Sequence, residues 1–310
     1  MKENHIKINT GQYLKDILDL IESNRIYFKI LPGIGATSLE LQTPRWSLII
    51  EPNVPVIKGK KERNILGVYE GINVDDVIMY LKNDKVEHKK IMVTPESLFK
   101  IKEACEILGI DIYQKFFMLF DECDRTMKDV SFRRKILLPM DDFFKFEQKA
   151  FISATAVVPT DPRFEDQNFE LVFIEPTFDY SKDIEVIISN NVSIALKSVI
   201  EEHRGSTICV FLNSINAITA LIADLDIKDE SYIFCSREKM YPLKAEGYNA
   251  YEHIDEKKYG SINLYTSRFN SAVDINMKEK PVVILATNLH YAIHTMIDPR
   301  SEAVQIIGRF

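Results

Sequence analysis

The chain of 310 residues lacks several features that would define its class at once. Its four cysteines form no CxxC pair, which argues against a zinc site, and their scatter through apolar segments indicates reduced thiols and a cytoplasmic protein. No apolar run approaches the roughly 20 residues that cross a bilayer, so no membrane partner is expected. The net charge of −7 lacks the basic excess of many nucleic-acid binders, although it is compatible with a local basic cleft.

What the sequence does contain is an alternation of short apolar runs with longer helical patterns, which restarts in the second half. Strands are predicted at 27–31, 47–51, 90–94, 115–120, 151–154, 183–188, 207–212, 231–235, 261–266 and 281–286. Helices are predicted at 13–23, 95–109, 191–205 and 214–225. Because such alternation is typical of parallel sheets, we expect an α/β fold with helices on both faces of each sheet. The polar segment 176–183 suggests two domains, 1–178 and 179–310.

A glycine-rich segment follows the first predicted strand. Glycines at a strand-to-helix turn let backbone N–H groups converge on an anion, and the helix N-terminus adds its positive end. Thr37 or Ser38 could offer a hydroxyl to Mg²⁺. A tight turn that merely requires glycine is the alternative. The predicted nucleotide-binding residues are Gly33, Ile34, Gly35, Ala36, Thr37 and Ser38.

This segment departs from the phosphate-loop pattern G-x-x-x-x-G-K-[ST]. Ala36 stands where the pattern has lysine, and Ile30 stands where it has the first glycine. That lysine normally reaches the β- and γ-phosphates. Lys29 lies upstream on the predicted strand, so we do not expect it to take the place of the lysine directly.

An acidic run, Asp121-Glu122-Cys123-Asp124, ends the apolar strand predicted at 115–120. Carboxylates at the carboxyl end of a parallel strand lie where α/β sheets bind ligands. The first acid can hold Mg²⁺, usually through water, and the second can orient an attacking water. The alternative is an acidic helix N-terminus that caps its own backbone.

Taken together, these segments resemble the motifs of superfamily-two helicases, the DEAD-box and related groups. DECD is similar to motif II, and the other motifs of that family follow in their usual order. The matching segments are 33–38 for motif I, 51–53 for Ia, 94–98 for TPxxL, 153–155 for III, 210–214 for IV, 266–274 for V and 305–309 for VI. Each segment alone is a weak signal, whereas their order along nearly the whole chain is specific.

The resemblance implies two RecA-like domains with ATP and Mg²⁺ bound between them. Asp121 and Glu122 would then handle Mg²⁺ and water, with Thr37 as a second Mg²⁺ ligand. Gln305 and Arg309 would act on the γ-phosphate from the second domain. The residues implied for coupling nucleotide state to strand binding are Ser153, Ala154 and Thr155. Those implied for contacting a single strand of DNA or RNA are Pro52, Asn53, Thr94, Pro95, Thr266 and Ser267.

Three departures leave two functions open. Ala36 replaces the lysine, Ala272 stands at the usual glycine of motif V, and the chain ends at Phe310, so we expect an incomplete second domain. One function is a nucleic-acid-dependent ATPase that translocates on or remodels its strand. The other is a helicase-like module that binds nucleotide or nucleic acid without hydrolysis. Because the lysine is missing, we expect the chain to show little or no ATPase activity.

Overall fold

The structure, a computed structural model, describes residues 1–52, 54–60, 64–124, 138–255, 258–270, 275, 277, 279–289 and 292–310. The chain divides into two compact units, Met1–Tyr180 and Ser181–Phe310. Each unit is a parallel β-sheet flanked by helices, which confirms the predicted α/β class with two parallel sheets. Among the described residues, none of the helices combines the length and the apolar character that a membrane crossing requires.

The first unit contains a sheet in the order β1-β8-β2-β7-β6-β3-β5-β4. Its strands are β1 (Lys2–Ile8), β2 (Arg25–Phe28), β3 (Ser47–Ile50), β4 (Ile65–Val68), β5 (Lys90–Val93), β6 (Phe117–Asp121), β7 (Gln148–Ser153) and β8 (Glu170–Pro176). Its helices are α1 (Ala36–Gln42), α2 (Val54–Gly59), α3 (Val74–Leu81), α4 (Leu98–Ile107), α5 (Ile112–Lys115), α6 (Leu138–Phe143) and α7 (Arg163–Asp166).

The central strands of this sheet are buried on both faces. Every residue of β3, β5 and β6 is buried, including the adjacent pair Leu48 and Ile49, whose side chains point to opposite faces. A strand that loses water on both faces reads as a continuous apolar run rather than as an alternation. This is why the sequence pattern identified these three strands.

The second unit contains a sheet in the order β11-β10-β12-β9-β13. Its strands are β9 (Ile208–Phe211), β10 (Ser231–Phe234), β11 (Asn249–Tyr251), β12 (Ile262–Tyr265) and β13 (Val282–Leu285), and its helices are α8 (Val192–Glu202), α9 (Ile215–Leu225), α10 (Arg237–Ala245) and α11 (Glu302–Ile307). Ile208 and Val210 belong to one apolar cluster, whereas Cys209 and Phe211 belong to another. Because successive residues of a strand point to opposite faces, this sheet is also covered on both sides.

The prediction of a helix at 13–23 was wrong. The structure has a single 3₁₀ turn there, Leu14–Asp16, and no α-helix. The backbone N–H of Leu14 donates to the carbonyl of Ile34, 2.9 Å away in the glycine-rich segment. A short helix gains little from propensity alone, so contacts of this kind decide the local conformation.

The prediction of a strand at 183–188 was also wrong. This segment has no regular structure, and Ile184, Val186, Ile187 and Ile188 are exposed. A run of β-branched residues is compatible with a strand, but a strand also requires a neighbouring strand to pair with, and the residue pattern does not show whether one is present. Conversely, the pattern missed four strands, namely β1, β4, β8 and β11.

Candidate functional site

The carboxyl ends of four adjacent strands meet at one edge of the first sheet. Along this edge lie β2, β7, β6 and β3, in that order. Lys29 follows β2, Ser153 ends β7, Asp121 ends β6 and Glu51 follows β3. Since carboxyl ends of parallel strands form the ligand-binding edge of α/β sheets, this is where a ligand site is expected.

The glycine-rich segment turns above this edge. Gly33 and Gly35 have φ of +74° and +87°, the left-handed region that only glycine adopts freely, and α1 begins at Ala36. Ile30 also adopts a left-handed conformation, with φ of +58°, which is unusual for a β-branched residue. Positive-φ backbone outside glycine costs free energy and is found at turns and at functional sites, so this turn is a candidate ligand loop.

Thr37 joins this loop to the acidic run. Its hydroxyl Oγ1 donates to Asp121 Oδ2 over 2.6 Å. The other oxygen, Oδ1, accepts a hydrogen bond from the backbone N–H of Glu122 at 2.9 Å. Glu122 itself has φ of +47°, which makes it the second left-handed residue other than glycine described at this edge. The structure thus brings together Thr37, Asp121 and Glu122, which the sequence analysis grouped as one site.

Lys29 lies against the same carboxylates. Its side chain is buried, and Nζ donates to Glu122 Oε1 at 3.1 Å and lies 3.5 Å from Asp121 Oδ1. Burial alone would lower the pKa of the Lys29 ammonium, but the Asp121 and Glu122 carboxylates outweigh it and hold that pKa above its ordinary value. From the sequence, Lys29 was not predicted to be a site residue, because it precedes the loop. The fold shows that its side chain reaches the acids.

Glu51 adds a third acid at this edge. Its residue is 1% exposed, and neither carboxyl oxygen has a hydrogen-bond partner within the part of the chain that the structure describes. Burial raises the pKa of Glu51 well above its ordinary value, and the Asp121 and Glu122 carboxylates raise it further. A buried polar group without a partner costs about 1–3 kcal/mol, so its presence here calls for a ligand or a functional reason.

The Ser-Ala-Thr segment hydrogen-bonds to the acidic run. Ser153 Oγ contacts Glu122 Oε2 at 3.1 Å and also a carboxylate oxygen of Asp124. Thr155 Oγ1 donates to Asp124 Oδ2 at 2.8 Å, and Ala154 is buried between the two hydroxyl residues. The 153–155 segment is therefore joined to two residues of the acidic run by side-chain hydrogen bonds, and its predicted coupling role stays a prediction.

The residues at this edge fit a magnesium ion that arrives with phosphates. Among the described residues, no three His, Cys, Asp or Glu side chains form a metal-binding group. Mg²⁺ usually takes one or two carboxylates with substrate phosphates and waters rather than an all-protein cage. Asp121 and Thr37 provide one carboxylate and one hydroxyl in contact, and Glu51 adds a buried carboxyl whose oxygens have no hydrogen-bond partner among the described residues.

The segments predicted to contact nucleic acid in the first unit are largely buried. Thr94 is 5% exposed, its Oγ1 hydrogen-bonds to Ser97 Oγ at 3.1 Å, and Pro95 begins the 3₁₀ turn before α4. Pro52 is buried as well, and Asn53 lies outside the described residues. Contact of these residues with a nucleic-acid strand stays a prediction.

In the second unit, motif-like residues also meet at a sheet edge. Asn213 Oδ1 accepts a hydrogen bond from the backbone N–H of Ser267 at 3.2 Å, and Thr266 Oγ1 donates to the carbonyl of Phe234. Gln305 is buried in α11, and its Oε1 accepts a hydrogen bond from Arg309 Nη2 at 3.2 Å. Ala272 lies outside the described residues. The roles predicted for Thr266, Ser267, Gln305 and Arg309 stay predictions.

Comparison with known proteins gives structural relatives only. No protein-family model matches the chain, and no curated protein sequence matches it. The structure is similar to that of S. cerevisiae Dbp5 bound to RNA and ADP BeF3, with a TM-score of 0.59, 14% identity and coverage of 93% of this chain and 75% of that chain. A variant of S. cerevisiae Dbp5 bound to the same ligands gives a TM-score of 0.58 at 14% identity, with the same coverage of both chains.

A third relative is the yeast DEAD-box splicing factor Prp28, with a TM-score of 0.34, 15% identity and coverage of 92% of this chain and 69% of that chain. The likeness to Dbp5 extends over both units. The chain therefore has the same α/β fold as Dbp5, with two RecA-like domains built on parallel sheets.

Proposed function

We propose that the chain is a helicase-like ATPase that binds ATP with Mg²⁺ at the edge of the first sheet and is stimulated by a nucleic-acid strand. The observation that carries this proposal is the contact between Thr37 Oγ1 and Asp121 Oδ2, 2.6 Å apart, beneath a loop with two left-handed glycines. It joins the hydroxyl and the carboxylate that a phosphate-bound Mg²⁺ requires. RNA and ADP BeF3 in the Dbp5 structure support strand and nucleotide as the ligands.

Each residue at the edge has a chemical task in this proposal. The N–H groups of the glycine loop and the N-terminus of α1 bind phosphate oxygens. Thr37 and Asp121 would hold Mg²⁺, which would supply positive charge to the phosphate oxygens when bound. Glu122 orients the attacking water and accepts its proton. Ser153 and Thr155 hydrogen-bond to the acidic run, so a change in the position of Glu122 on hydrolysis would move them and, through them, the segments that bind the nucleic-acid strand.

A second function is favoured by one observation. Ala36 has no amine to offer the phosphates, and loss of one phosphate cation removes several kcal/mol of transition-state stabilisation, judging by the roughly 10³–10⁵-fold effect of arginine fingers. The loop amides and Mg²⁺ would still hold nucleotide. The chain would then be a nucleotide-dependent strand-binding module without turnover.

Two measurements on the full chain separate these functions. Calorimetric titration with ATP–Mg²⁺ measures binding, and phosphate release with and without single-stranded RNA measures turnover. Under the ATPase proposal the chain binds ATP and releases phosphate faster with RNA. Binding with no phosphate release under any condition would favour the non-hydrolysing module, and absence of binding would contradict both.

Glu122→Gln is the matched variant for this test. It removes the charge of the proposed water-orienting group while retaining its size, so ATP affinity should stay within about threefold while turnover falls by roughly 10²-fold or more. Glu147→Gln, at an exposed glutamate outside the site, is the control and should change neither quantity. Phosphate release that survives Glu122→Gln would indicate a contaminating enzyme.

A further inference from the structure

The glycine loop lacks the lysine of the phosphate-loop pattern, but a lysine is present at the start of the same turn. Lys29 directly follows β2, and its backbone N–H donates to the carbonyl of Ser153 at 2.9 Å, which fixes the residue in the sheet. From there its side chain runs to the carboxylates of Asp121 and Glu122. The buried ammonium therefore lies at the acidic run.

Asp121 shows how close this ammonium is to the proposed phosphate site. One of its oxygens, Oδ2, accepts the hydrogen bond from Thr37 at 2.6 Å, while the other, Oδ1, lies 3.5 Å from Lys29 Nζ. A single carboxylate thus separates the ammonium from the hydroxyl at the N-terminal turn of α1. Phosphates held by the loop and by Thr37 would lie beside the Lys29 amine.

The chemistry of the two partners favours a move of the amine from acid to phosphate. A lysine side chain is a flexible four-carbon stem that ends in a point charge with three donors. Its present partners, Asp121 and Glu122, are the groups that Mg²⁺ and the attacking water would engage. With nucleotide bound, the phosphate oxygens would offer the ammonium charged acceptors in addition to the Asp121 and Glu122 carboxylates.

We infer that Lys29 is the phosphate cation of this site, contacting the β- and γ-phosphates of the bound nucleotide in place of the lysine that Ala36 lacks. This inference rests on the proposed function, because it requires a nucleotide at the Thr37–Asp121 edge. It differs from the expectation drawn from the loop pattern: the cation comes from the end of a strand and not from the first turn of a helix. Lys29 is then a catalytic residue, and Ala36 is not a defect.

The experiment compares the full chain with Lys29→Met, a substitution that keeps most of the buried apolar stem and removes the amine. Affinities for ATP–Mg²⁺ and for AMP are measured by calorimetry, and turnover by phosphate release with RNA. A β/γ-phosphate contact predicts that Lys29→Met weakens ATP binding by roughly 10- to 100-fold, the effect of losing one charged hydrogen bond. AMP has no β- or γ-phosphate, so its affinity should change by less than about threefold, and turnover should fall by roughly 10³-fold.

Two further variants separate a phosphate contact from a structural ion pair. Lys90→Met removes another buried lysine, which contacts Glu40 and Ser47 at the opposite edge of the sheet, and should lower the melting temperature without altering the ratio of ATP to AMP affinity. The double variant Lys29→Met with Ala36→Lys returns the amine to the position of the usual pattern. It should recover ATP selectivity at least in part.

The outcomes are distinct. Suppose that the unaltered chain binds ATP and that Lys29→Met changes the ATP and AMP affinities equally, or only lowers the melting temperature. Lys29 is then a structural partner of the acids, and the inference is overturned while the proposed function stands. If the unaltered chain binds no nucleotide, both are overturned. If Lys29→Met fails to fold, Lys29→Arg, which keeps the charge, must retain ATP selectivity for the inference to hold.

Discussion

Two fully buried glutamates of the first unit should respond to the same substitution with opposite signs. Glu51 and Glu40 are 1% and 0% exposed. Glu51 has no hydrogen-bond partner for either oxygen among the described residues, whereas Glu40 accepts from Arg45 Nε at 3.0 Å and from Ser47 and lies 3.8 Å from Lys90 Nζ. We expect Glu51→Met to stabilise the protein and Glu40→Met to destabilise it.

The magnitudes follow from these surroundings. Replacing Glu51 removes an unsatisfied buried polar group, which should raise the free energy of unfolding at pH 7 by about 1–3 kcal/mol. Each kcal/mol corresponds to roughly 2–4 °C in melting temperature for a unit of this size. Replacing Glu40 leaves the buried Lys90 and the half-buried Arg45 without their carboxylate, which should lower the free energy of unfolding by about 3–5 kcal/mol.

The stabilisation from Glu51→Met should also depend on pH. Because the folded pKa of Glu51 is raised, the folded protein retains a proton that the unfolded chain loses near pH 4.3, its ordinary value. Wild-type stability therefore falls as pH rises above about 4.3 toward the folded pKa, by up to about 1.4 kcal/mol per pH unit. The variant lacks this loss, so its advantage should grow with pH.

Urea unfolding of wild type, Glu51→Met and Glu40→Met at pH 4.5 and 7.5 measures all three effects. Glu51→Gln is the control for titration, since it keeps a buried polar group that cannot ionise and should show no pH-dependent difference from Glu51→Met. A Glu51→Met protein that is less stable than wild type, or an advantage that is equal at both pH values, would refute the reasoning about this carboxyl.

Three other substitutions test the site. Thr37→Ala should weaken ATP binding in the presence of Mg²⁺ by roughly tenfold, because the hydroxyl contacts Asp121 and is a proposed Mg²⁺ ligand. Thr37→Ser keeps the hydroxyl and should bind ATP almost as well as wild type; equal affinity of the two variants in calorimetry would exclude that role. Ser153→Ala removes the hydroxyl shared by Glu122 and Asp124 and should reduce stimulation of phosphate release by RNA more than it reduces ATP affinity, measured on the same preparation. Arg309→Ala should lower turnover by about 10³-fold with little change in ATP affinity if it acts as an arginine finger, and unchanged turnover would remove it from the mechanism.

The acidic edge was predictable from sequence because its signal is local. An apolar run that ends in Asp121 and Glu122 identifies a buried strand and the chemistry at its end, and Ser153 ends another such run. Parallel strands bring their carboxyl ends together, so the order of motifs was enough to group these residues. The fold class followed from the same alternation.

Lys29 and Glu51 were not predictable as site residues, since their role depends on which strands are neighbours. The sheet order places β2 beside β7 and β3 beside β6, and sequence alone does not give that order. A lysine before a glycine loop has many rotamers, and the one observed is fixed by Asp121 at the end of β6 and by Glu122, which follows it. The exposed run at 183–188 shows the converse, a strong local pattern without a neighbouring strand.

The left-handed backbone at Ile30 and Glu122 has an evolutionary consequence. With φ of +58° and +47°, each residue costs about 1–2 kcal/mol relative to a relaxed conformation, out of a total stability of roughly 5–15 kcal/mol. Asparagine tolerates this conformation better, so Ile30→Asn would relieve part of this cost, whereas replacing Glu122 would also leave the buried Lys29 ammonium without one of its carboxylates. In a lineage that had stopped using the site, stability alone would therefore favour the loss of isoleucine at position 30, whereas the ion pair with Lys29 would still favour an acid at position 122.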